Sequence, residues 1–443
     1  MRSLLIAFDM VFLLGLSLTR PFVGVLLFCW ISFMNPHQLA YGFASQAPWA
    51  LMAGIATVIG CFVAGEPKRL PVTAVTVLMA LFMVVITATT AVAMSPLTDQ
   101  VVAKYVLVMK SFGFILLTIS LLTTRRRIHA LIWLMVISLA FFGSKGGVFT
   151  ILHGGGGGRV EGPPGTMITD NNDLAVALLI TLPLMNFLRV HSADRLVRIG
   201  IAVVMGLTLL AVLGSYSRGA LIALAAVACF FWLKSRRKIV YGVLVFGAIA
   251  GAVAFMPQEW VARMQTIQSY QADQSAEGRL KMWHTAWIMA EGRPLTGVGF
   301  MGTYSRKVVD RFDPTSAARA VHSIWLELLA ENGFPAFFIW LGITGAGALA
   351  ARRIIRRTRD RPDLAWCADL ARMTQVSIIA YVVGGTLLSL SYWDFYFTVL
   401  GVLTATDLYV RRALASRDEL PGRISRPWRQ LGSDAGGVTV PAR

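Results

Sequence analysis

His322 is the residue whose position in this sequence most directly indicates chemistry. It lies in the stretch AVHSIWLELLAENGFPA (residues 320–336), where a polar segment gives way to an apolar run. The N–H groups at the start of a helix carry partial positive charge, which lowers the pKa of a nearby histidine and attracts phosphate. A neutral imidazole beside a bound phosphate suits general-base catalysis on a hydroxyl group. The competing interpretation is a histidine that caps the helix or lies at a membrane interface.

Two carboxylates follow on the same predicted helix. Glu327 and Glu331 are four residues apart, so they share one helix face. Such a pair could perform acid–base work or hold an arginine, or it could form a salt bridge that orients the helix. We favour the salt bridge for Glu331 and leave the role of Glu327 open. Gly333 and Pro335 then predict a break or kink.

Arg218 and Arg279 are candidates for binding an anion. Arg218 lies in the tight turn GSYSRGA between two apolar runs, and an arginine at membrane depth is costly and usually functional. Its guanidinium can hold phosphate through two parallel hydrogen bonds. The alternative is an anchor that extends its charge to the lipid surface. Arg279 starts an amphipathic stretch, and its spacing alone favours a solvated basic residue.

Three further residues are candidates for a supporting role. Tyr216 shares the turn that holds Arg218, and Arg159 precedes the stretch TDNNDLA (169–175), whose Asp and Asn residues favour a helix N-cap. Asp394, in SYWDFYF, could pair with an arginine or orient the histidine, or it could be a simple turn residue.

The composition predicts that membrane helices position these residues. Of 443 residues, 56% are hydrophobic and 14% are charged, against roughly 25% charged in soluble globular proteins. Apolar runs of about 17 to 25 residues can cross a hydrocarbon core of roughly 30 Å. Because the runs do not alternate as in a barrel and an open sheet cannot span lipid, we expect an all-α polytopic membrane protein.

We expect about 12 transmembrane helices, the uncertainty arising from Arg20-Pro21, which interrupts the first two segments. The predicted spans lie near residues 3–18, 20–36, 48–64, 72–94, 104–123, 130–151, 173–189, 199–215, 219–233, 239–256, 323–350, 370–391 and 395–410.

The net charge of +18 has an explanation other than nucleic acid. Basic clusters fall on alternate turns between the apolar runs, which by the positive-inside rule places them in the cytoplasm, against anionic lipid heads. The clusters are Lys68-Arg69, 125–127, 189–198, 234–238, 352–361 and Arg411-Arg412. The opposite side then holds residues 95–103, 152–172, 215–218, 257–322 and 391–394.

Four regions follow from this topology: N-terminal membrane helices over 1–256, a large external loop over 257–322, C-terminal membrane helices over 323–412, and a flexible cytoplasmic tail over 413–443. The loop holds eight Lys/Arg against six Asp/Glu. Long loops are exempt from the positive-inside rule, so this charge could be incidental, or the loop could bind an anion. Its stretch GRLKMWHTAWIMAEG predicts an amphipathic helix at the interface, with apolar residues at helical spacing at Leu280, Trp283, Trp287 and Ala290.

Three stretches, in this order and topology, resemble the O-antigen ligases, the lipopolysaccharide ligases of the Wzy/WaaL superfamily. They are SYSRGA (215–220), GRLKMWHTAWIMAEGRPLTGVGFMGTY (278–304) and VHSIWLELLAENGFPA (321–336). In the N-terminal half, GGRVEGPPGTMITDNNDLAVALLITLPL (157–184) is similar to the O-glycosylation ligase branch associated with exosortase systems. The resemblance covers most of residues 1–410.

The resemblance implies a GT-C-like glycosyltransferase in the bacterial inner membrane, with its active site at the periplasmic face. Such an enzyme moves a glycan from undecaprenyl pyrophosphate to a sugar hydroxyl of lipid A–core, with inversion and without a metal or other cofactor. Arg218 and Arg279 would then bind the pyrophosphate and His322 would deprotonate the acceptor, with Asp394 as a weaker correspondence. The expected partners are the lipid-linked donor, lipid A–core and membrane lipids, and no nucleic acid.

Two other functions remain open from the sequence. A protein O-glycosylation ligase or an O-antigen polymerase would use the same donor and differ in the acceptor. A transporter of lipid-linked glycans would predict repeated halves and polar breaks at the membrane midplane. The polar groups of this sequence are concentrated at one side instead, which counts against the transporter.

Overall fold

The structure is a computed structural model, and it describes residues 2–39, 42–66, 70–94, 96–234, 238, 239, 242, 247, 250, 251, 254–265 and 274–418. Its helices, labelled in chain order, are α1 (Arg2–Thr19), α2 (Pro21–Met34), α3 (Phe43–Gln46), α4 (Trp49–Val63), α5 (Ala74–Ala91), α6 (Asp99–Leu121), α7 (Arg125–Leu152), α8 (Asn171–His191), α9 (Arg195–Gly214), α10 (Arg218–Lys234), α11 (Gln258–Gln265), α12 (Gln274–Gly292), α13 (Arg306–Val309), α14 (Ile324–Arg357), α15 (Ala365–Gly385) and α16 (Asp394–Asp418). The described residues contain no β-strand, which agrees with the predicted all-α fold.

Six of these helices are long and apolar enough to cross a membrane: α5, α6, α7, α8, α9 and α14. Shorter apolar helices occupy Ser3–Thr19, Pro21–Met34, Trp49–Val63 and Arg218–Leu233. Each coincides with a predicted span, but a total of about 12 stays a prediction.

Some sequence-based predictions lie outside the described residues. They concern the basic pair at 68–69, most of the basic loop at 234–238, most of the span at 239–256, and the tail beyond Asp418. The start of the predicted flexible tail differs from the structure, because α16 continues to Asp418 and the residues from Ala413 to Asp418 are helical.

The loops predicted to share the external side contact one another at one end of the bundle. The backbone N–H of Met94 donates to the carbonyl of Val298 at 3.1 Å. The Tyr216 hydroxyl donates to the carbonyl of Gly155 at 2.8 Å. The loop after α5 therefore meets the loop after α12, and the turn before α10 meets the loop after α7.

The predicted basic loops contact one another at the opposite end. Arg127 at the start of α7 donates to Glu66 after α4 at 3.0 Å. His191 at the end of α8 bonds Asp369 of α15 at 3.2 Å. The described contacts therefore join basic segments to one another, while the side of the membrane on which these segments lie stays a prediction.

A break in α14 anchors the segment that follows α12. Gly333 has a φ of 74°, which ends regular helix geometry as predicted. Pro335 has no N–H to give the carbonyl of Glu331, so this carbonyl accepts from the N–H of Gly299 at 2.9 Å. In the same way, the carbonyl of Ala330 accepts from the N–H of Val298 at 2.7 Å. The break therefore attaches the loop to the first half of α14.

Small residues allow α7 and α9 to pack at close range. A Cβ added to Gly147 would meet the backbone of Leu207, and one added to Gly143 would meet Thr208. Close approach through small residues is a common way for membrane helices to associate. Because the neighbour at Gly147 is backbone, it cannot move aside as a side chain could.

We therefore expect Gly147→Ala to destabilise the protein by roughly 1–3 kcal/mol, the usual cost of overpacking. Gly200→Ala is the matched control on α9, because an added Cβ there meets nothing within 4 Å. Thermal unfolding of the purified protein in detergent would compare the two variants. Equal melting temperatures for both would show that the α7–α9 contact is looser than described.

Candidate functional site

His322 occupies a constrained position just before α14. Its φ is 52°, a left-handed conformation that is uncommon for a residue with a side chain. The backbone N–H donates to the Ser389 hydroxyl at 2.9 Å, which ties it to the turn after α15. Ser323, the N-cap residue, gives α14 no side-chain hydrogen bond. The first turn of α14 therefore presents N–H groups without a side-chain cap beside the imidazole.

The surroundings of His322 favour the neutral imidazole. Its pKa is lowered below the ordinary value, first by burial and then by the positive charges of Arg279 and Arg319. The negative charges of Asp170 and Glu327 act on the same pKa in the opposite direction. His322, Arg279, Arg319, Asp170 and Glu327 therefore form one electrostatic group, which we call the His322 cluster.

We expect this lowered pKa to appear as the acidic limb of the activity profile. A histidine base works when neutral, so activity should persist as the pH falls below the ordinary histidine pKa of about 6.5, and disappear only at the lower pKa of the folded protein. The pH dependence of kcat/KM reports the enzyme without bound substrate, before pyrophosphate adds negative charge. An acidic limb with a pKa at or above the ordinary histidine pKa would contradict the environment described for His322.

Helix α12 brings Arg279 to the histidine. The predicted helix is present, but its buried residues are Met282, Thr285, Ala286, Met289 and Ala290. Of the four residues predicted to form one apolar face, Leu280 and Trp287 are exposed, at 48% and 43%. Trp283 donates from its indole to the carbonyl of Val321 at 2.8 Å, one residue from His322. The helix thus packs onto α14 and the segment before it.

Arg319 was not identified from the sequence. Its backbone N–H donates to the carbonyl of Thr303 at 3.0 Å. A side chain at Gly278 would meet the Arg319 guanidinium, so the glycine before Arg279 leaves room for it. The available signal was its position three residues before His322 in a basic loop.

Glu327 and Glu331 share one cation, Lys104 of α6. The Lys104 ammonium donates to Glu327 at 3.1 Å and to Glu331 at 2.8 Å. Glu331 also accepts from the Tyr392 hydroxyl and the Met301 N–H, both at 3.0 Å. The salt bridge favoured for Glu331 is present, and its cation is a lysine that sequence reasoning did not identify.

Glu327 links this ion pair to the His322 cluster. Its second carboxylate oxygen accepts from the Ser391 hydroxyl at 2.6 Å, and its charge acts on the pKa of His322. Glu327 therefore holds the first turn of α14 to α6 and to the turn before α16, which is a structural role. Its negative charge also acts on the pKa of the histidine.

Tyr304 and Asp173 extend the polar site. The pKa of Tyr304 is raised by burial first and then by the negative charge of Glu327, with a smaller contribution from Asp173. Asp173, in the first turn of α8, also interacts with the charges of Asp170 and Arg279. Asp170 is the N-cap of α8, as TDNNDLA predicted. The same stretch therefore supplies two carboxylates, Asp170 and Asp173, of which Asp170 is also the helix cap.

Arg218 lies at the same end of the bundle, as the first residue of α10. It is half-buried, and the adjacent Gly219 lies against Leu387. Leu387 belongs to the same turn as Ser389, which bonds His322. The turn between α15 and α16 thus lies between the start of α10 and the histidine.

Tyr216 and Arg159 form a separate group around a cavity of about 320 Å³. The pKa of Tyr216 is raised by burial and by Glu259, while Arg159 lowers it. Tyr216 packs on Met256 and Trp260, so it holds the turn before α10 against the external segment. The structure does not place this pair among the charges that act on the pKa of His322.

Asp394 is not among the charges that act on the pKa of His322. Its carboxylate is buried and accepts from the Ser32 hydroxyl of α2. From the sequence, Asp394 could pair with an arginine or orient the histidine. The hydrogen bond that its carboxylate forms in the structure is instead to Ser32 of α2. Within the described residues, no group of three or more His, Cys, Asp or Glu side chains could hold a metal ion.

Comparison with known proteins supports one part of the resemblance. Residues 1–193 match a family of unknown function (DUF5935), and no curated protein matches the chain. Residues 176–341 match the O-antigen ligase family (Wzy_C), a region that includes Arg218, Arg279 and His322. Together with the six helices that are long and apolar enough to cross a membrane, this match suggests a multi-pass membrane protein of the ligase or polymerase type. The region of residues 176–341 is thus similar to the O-antigen ligase family.

Proposed function

We propose that this protein is an O-antigen ligase of the bacterial inner membrane. It transfers a glycan from undecaprenyl pyrophosphate to a sugar hydroxyl of lipid A–core at the periplasmic face. The observation that carries the proposal is the position of His322, held beside two arginines at a helix start without a side-chain cap, with its pKa lowered. A neutral base next to an anion site is what transfer from a pyrophosphate to a hydroxyl requires.

The donor pyrophosphate binds, in this proposal, at Arg279 and Arg319, with Arg218 reaching it from α10. The N–H groups of the first turn of α14 add hydrogen bonds, since helix starts favour phosphate. Charge-assisted bonds of this kind stabilise the pyrophosphate as negative charge develops on it.

His322 accepts the proton of the acceptor hydroxyl in the transfer step. The hydroxyl oxygen forms a bond to the anomeric carbon while the bond from that carbon to the pyrophosphate oxygen breaks. Attack comes from the face opposite the leaving group, which inverts the configuration. The proton resides on His322 until solvent removes it, and the arginines hold the undecaprenyl pyrophosphate that leaves.

An acceptor screen tests the proposal directly. The purified full chain would be reconstituted with an undecaprenyl-pyrophosphate glycan and offered lipid A–core, an acceptor protein, or a second copy of the donor. Glycan on lipid A–core supports the ligase. Glycan on protein or a lengthened donor would identify the O-glycosylation ligase or the polymerase instead, and no transfer to any of the three would contradict a glycosyltransferase.

Arg218→Lys should impair use of the donor. A lysine keeps the charge but loses the planar guanidinium that can hold phosphate through two bonds. We expect a roughly tenfold or greater loss in kcat/KM for the donor, the effect of about 1.4 kcal/mol, with the KM for the acceptor unchanged. Arg159→Lys is the control, because Arg159 lies in the separate Tyr216 group. Wild-type kinetics for Arg218→Lys would remove Arg218 from the donor site.

A further inference from the structure

Two cavities on another face of the bundle join into one cleft between α2, α4 and α6. The first has a volume of about 510 Å³ and a partly polar lining that includes Ser32, Asn35, His37 and Asp394. The second, of about 430 Å³, is lined mainly by apolar residues such as Phe28, Ile55, Val58, Phe114 and Leu117. Ala50, Leu51 and Lys110 line both. The cleft therefore has a polar half and an apolar half, and Lys110 lies where they meet.

Lys110 is an exposed lysine that has no carboxylate partner among the described residues. It lies midway along α6, a candidate membrane span, about 16 Å from the helix start at a rise of 1.5 Å per residue. Its side chain forms no ion pair with any carboxylate of the described residues. The one carboxylate in the cleft, Asp394, is already hydrogen bonded to Ser32. Ionisable residues within spans are costly and usually serve a ligand or a partner charge.

The polar half offers further groups for a headgroup. His37 has a buried Nδ1 that bonds no partner among the described residues. Trp49 and Trp393 line the same cavity, and tryptophan is enriched where lipid headgroups meet the apolar core. Lys110 also lines the apolar half, together with Gly54 and Gly113, which have no side chain to occupy the space.

We propose that this cleft binds one anionic membrane phospholipid. Its phosphate lies at Lys110 and the polar lining, and an acyl chain lies along the apolar half. No residue of the His322 cluster lines either cavity, so the site is separate from the proposed transfer site and its test does not depend on glycan transfer.

Native mass spectrometry of the full chain in an uncharged detergent tests this proposal. The protein would be titrated with phosphatidylglycerol, with zwitterionic phosphatidylcholine and with undecaprenyl phosphate. We expect phosphatidylglycerol to bind best, and Lys110→Gln to weaken it about fivefold, the effect of one lysine near a lipid phosphate. Lys145→Gln is the matched control, since Lys145 is an exposed lysine of the span α7 that lines neither cavity.

A second pair of variants tests the apolar half without changing charge. Gly54→Leu should fill the cleft and reduce phosphatidylglycerol binding, and we expect the variant to fold because a Cβ added at Gly54 meets nothing within 4 Å. Gly15→Leu in α1, equally free of neighbours, should not change binding. Unchanged phosphatidylglycerol binding in Lys110→Gln and Gly54→Leu would overturn the proposal. The proposal would also be overturned if the two variants lost binding of undecaprenyl phosphate alone, because the cleft would then belong to a polyprenyl lipid.

Discussion

Replacing His322 with alanine is expected to reduce glycan transfer by about 10²–10⁴-fold, the usual contribution of a general base. The fold should persist, because the contact that positions this residue is a backbone N–H bond to Ser389, which alanine retains. Alanine also has a Cβ, so the left-handed φ of 52° is no more strained than in the native chain. The measurement is single-turnover transfer from the undecaprenyl-pyrophosphate donor, with donor binding measured separately.

Two control variants separate chemistry from structure in this experiment. His284→Ala removes an exposed histidine from the helix that holds Arg279, and it should transfer at the native rate. His322→Gly should be at least as stable as the native chain, because glycine adopts a positive φ without strain, yet it should be inactive. Native-level transfer by either His322 variant would end the assignment of His322 as the base.

The architecture could be predicted from the sequence because it depends on local patterns. Apolar run lengths predicted the helices, and the alternation of basic loops predicted which loops meet, as the contacts Arg127–Glu66 and Met94–Val298 show. The break at Gly333 follows from backbone chemistry alone. The buried face of α12 could not be predicted in the same way, since Leu280 and Trp287 are apolar yet exposed. Spacing identifies an apolar face but does not show what covers it.

Only part of the candidate site could be predicted, because local sequence patterns do not show contacts between distant segments. His322 and Arg279 are recognisable from position and motif, and the structure brings them together. Arg319 and Lys104 could not be recognised, because their roles depend on contacts between segments far apart in the sequence. Lys104 meets Glu327 across more than two hundred residues, and no local pattern reports such a pairing. Asp394 shows the opposite case, a polar residue at the predicted end of the bundle that faces a different helix.

Lys104→Met is expected to cause the largest loss of stability, roughly 3–5 kcal/mol, the cost of leaving a buried charge without its partner. Methionine matches the length of the lysine stem but leaves the Glu327 and Glu331 carboxylates side by side without a cation. The side chains of the two carboxylates are only 7% and 1% exposed, against 18% for Lys104, so little water reaches them to replace the ammonium. The remaining partners, the hydroxyls of Tyr392 and Ser391 and the N–H of Met301, donate hydrogen bonds but carry no positive charge.

The controls for this prediction distinguish the ion pair from the lysine stem. Lys145→Met removes an exposed lysine from another span and should leave the melting temperature unchanged. Adding Glu331→Gln to Lys104→Met removes one of the two stranded charges, so the double variant should recover part of the lost stability. Because Glu327 holds the first turn of α14 beside the His322 cluster, Lys104→Met should also lower transfer in whatever fraction remains folded. A Lys104→Met protein that melts like the native chain would mean that the two carboxylates tolerate each other through a shared proton, and that α6 and α14 are held together by packing instead.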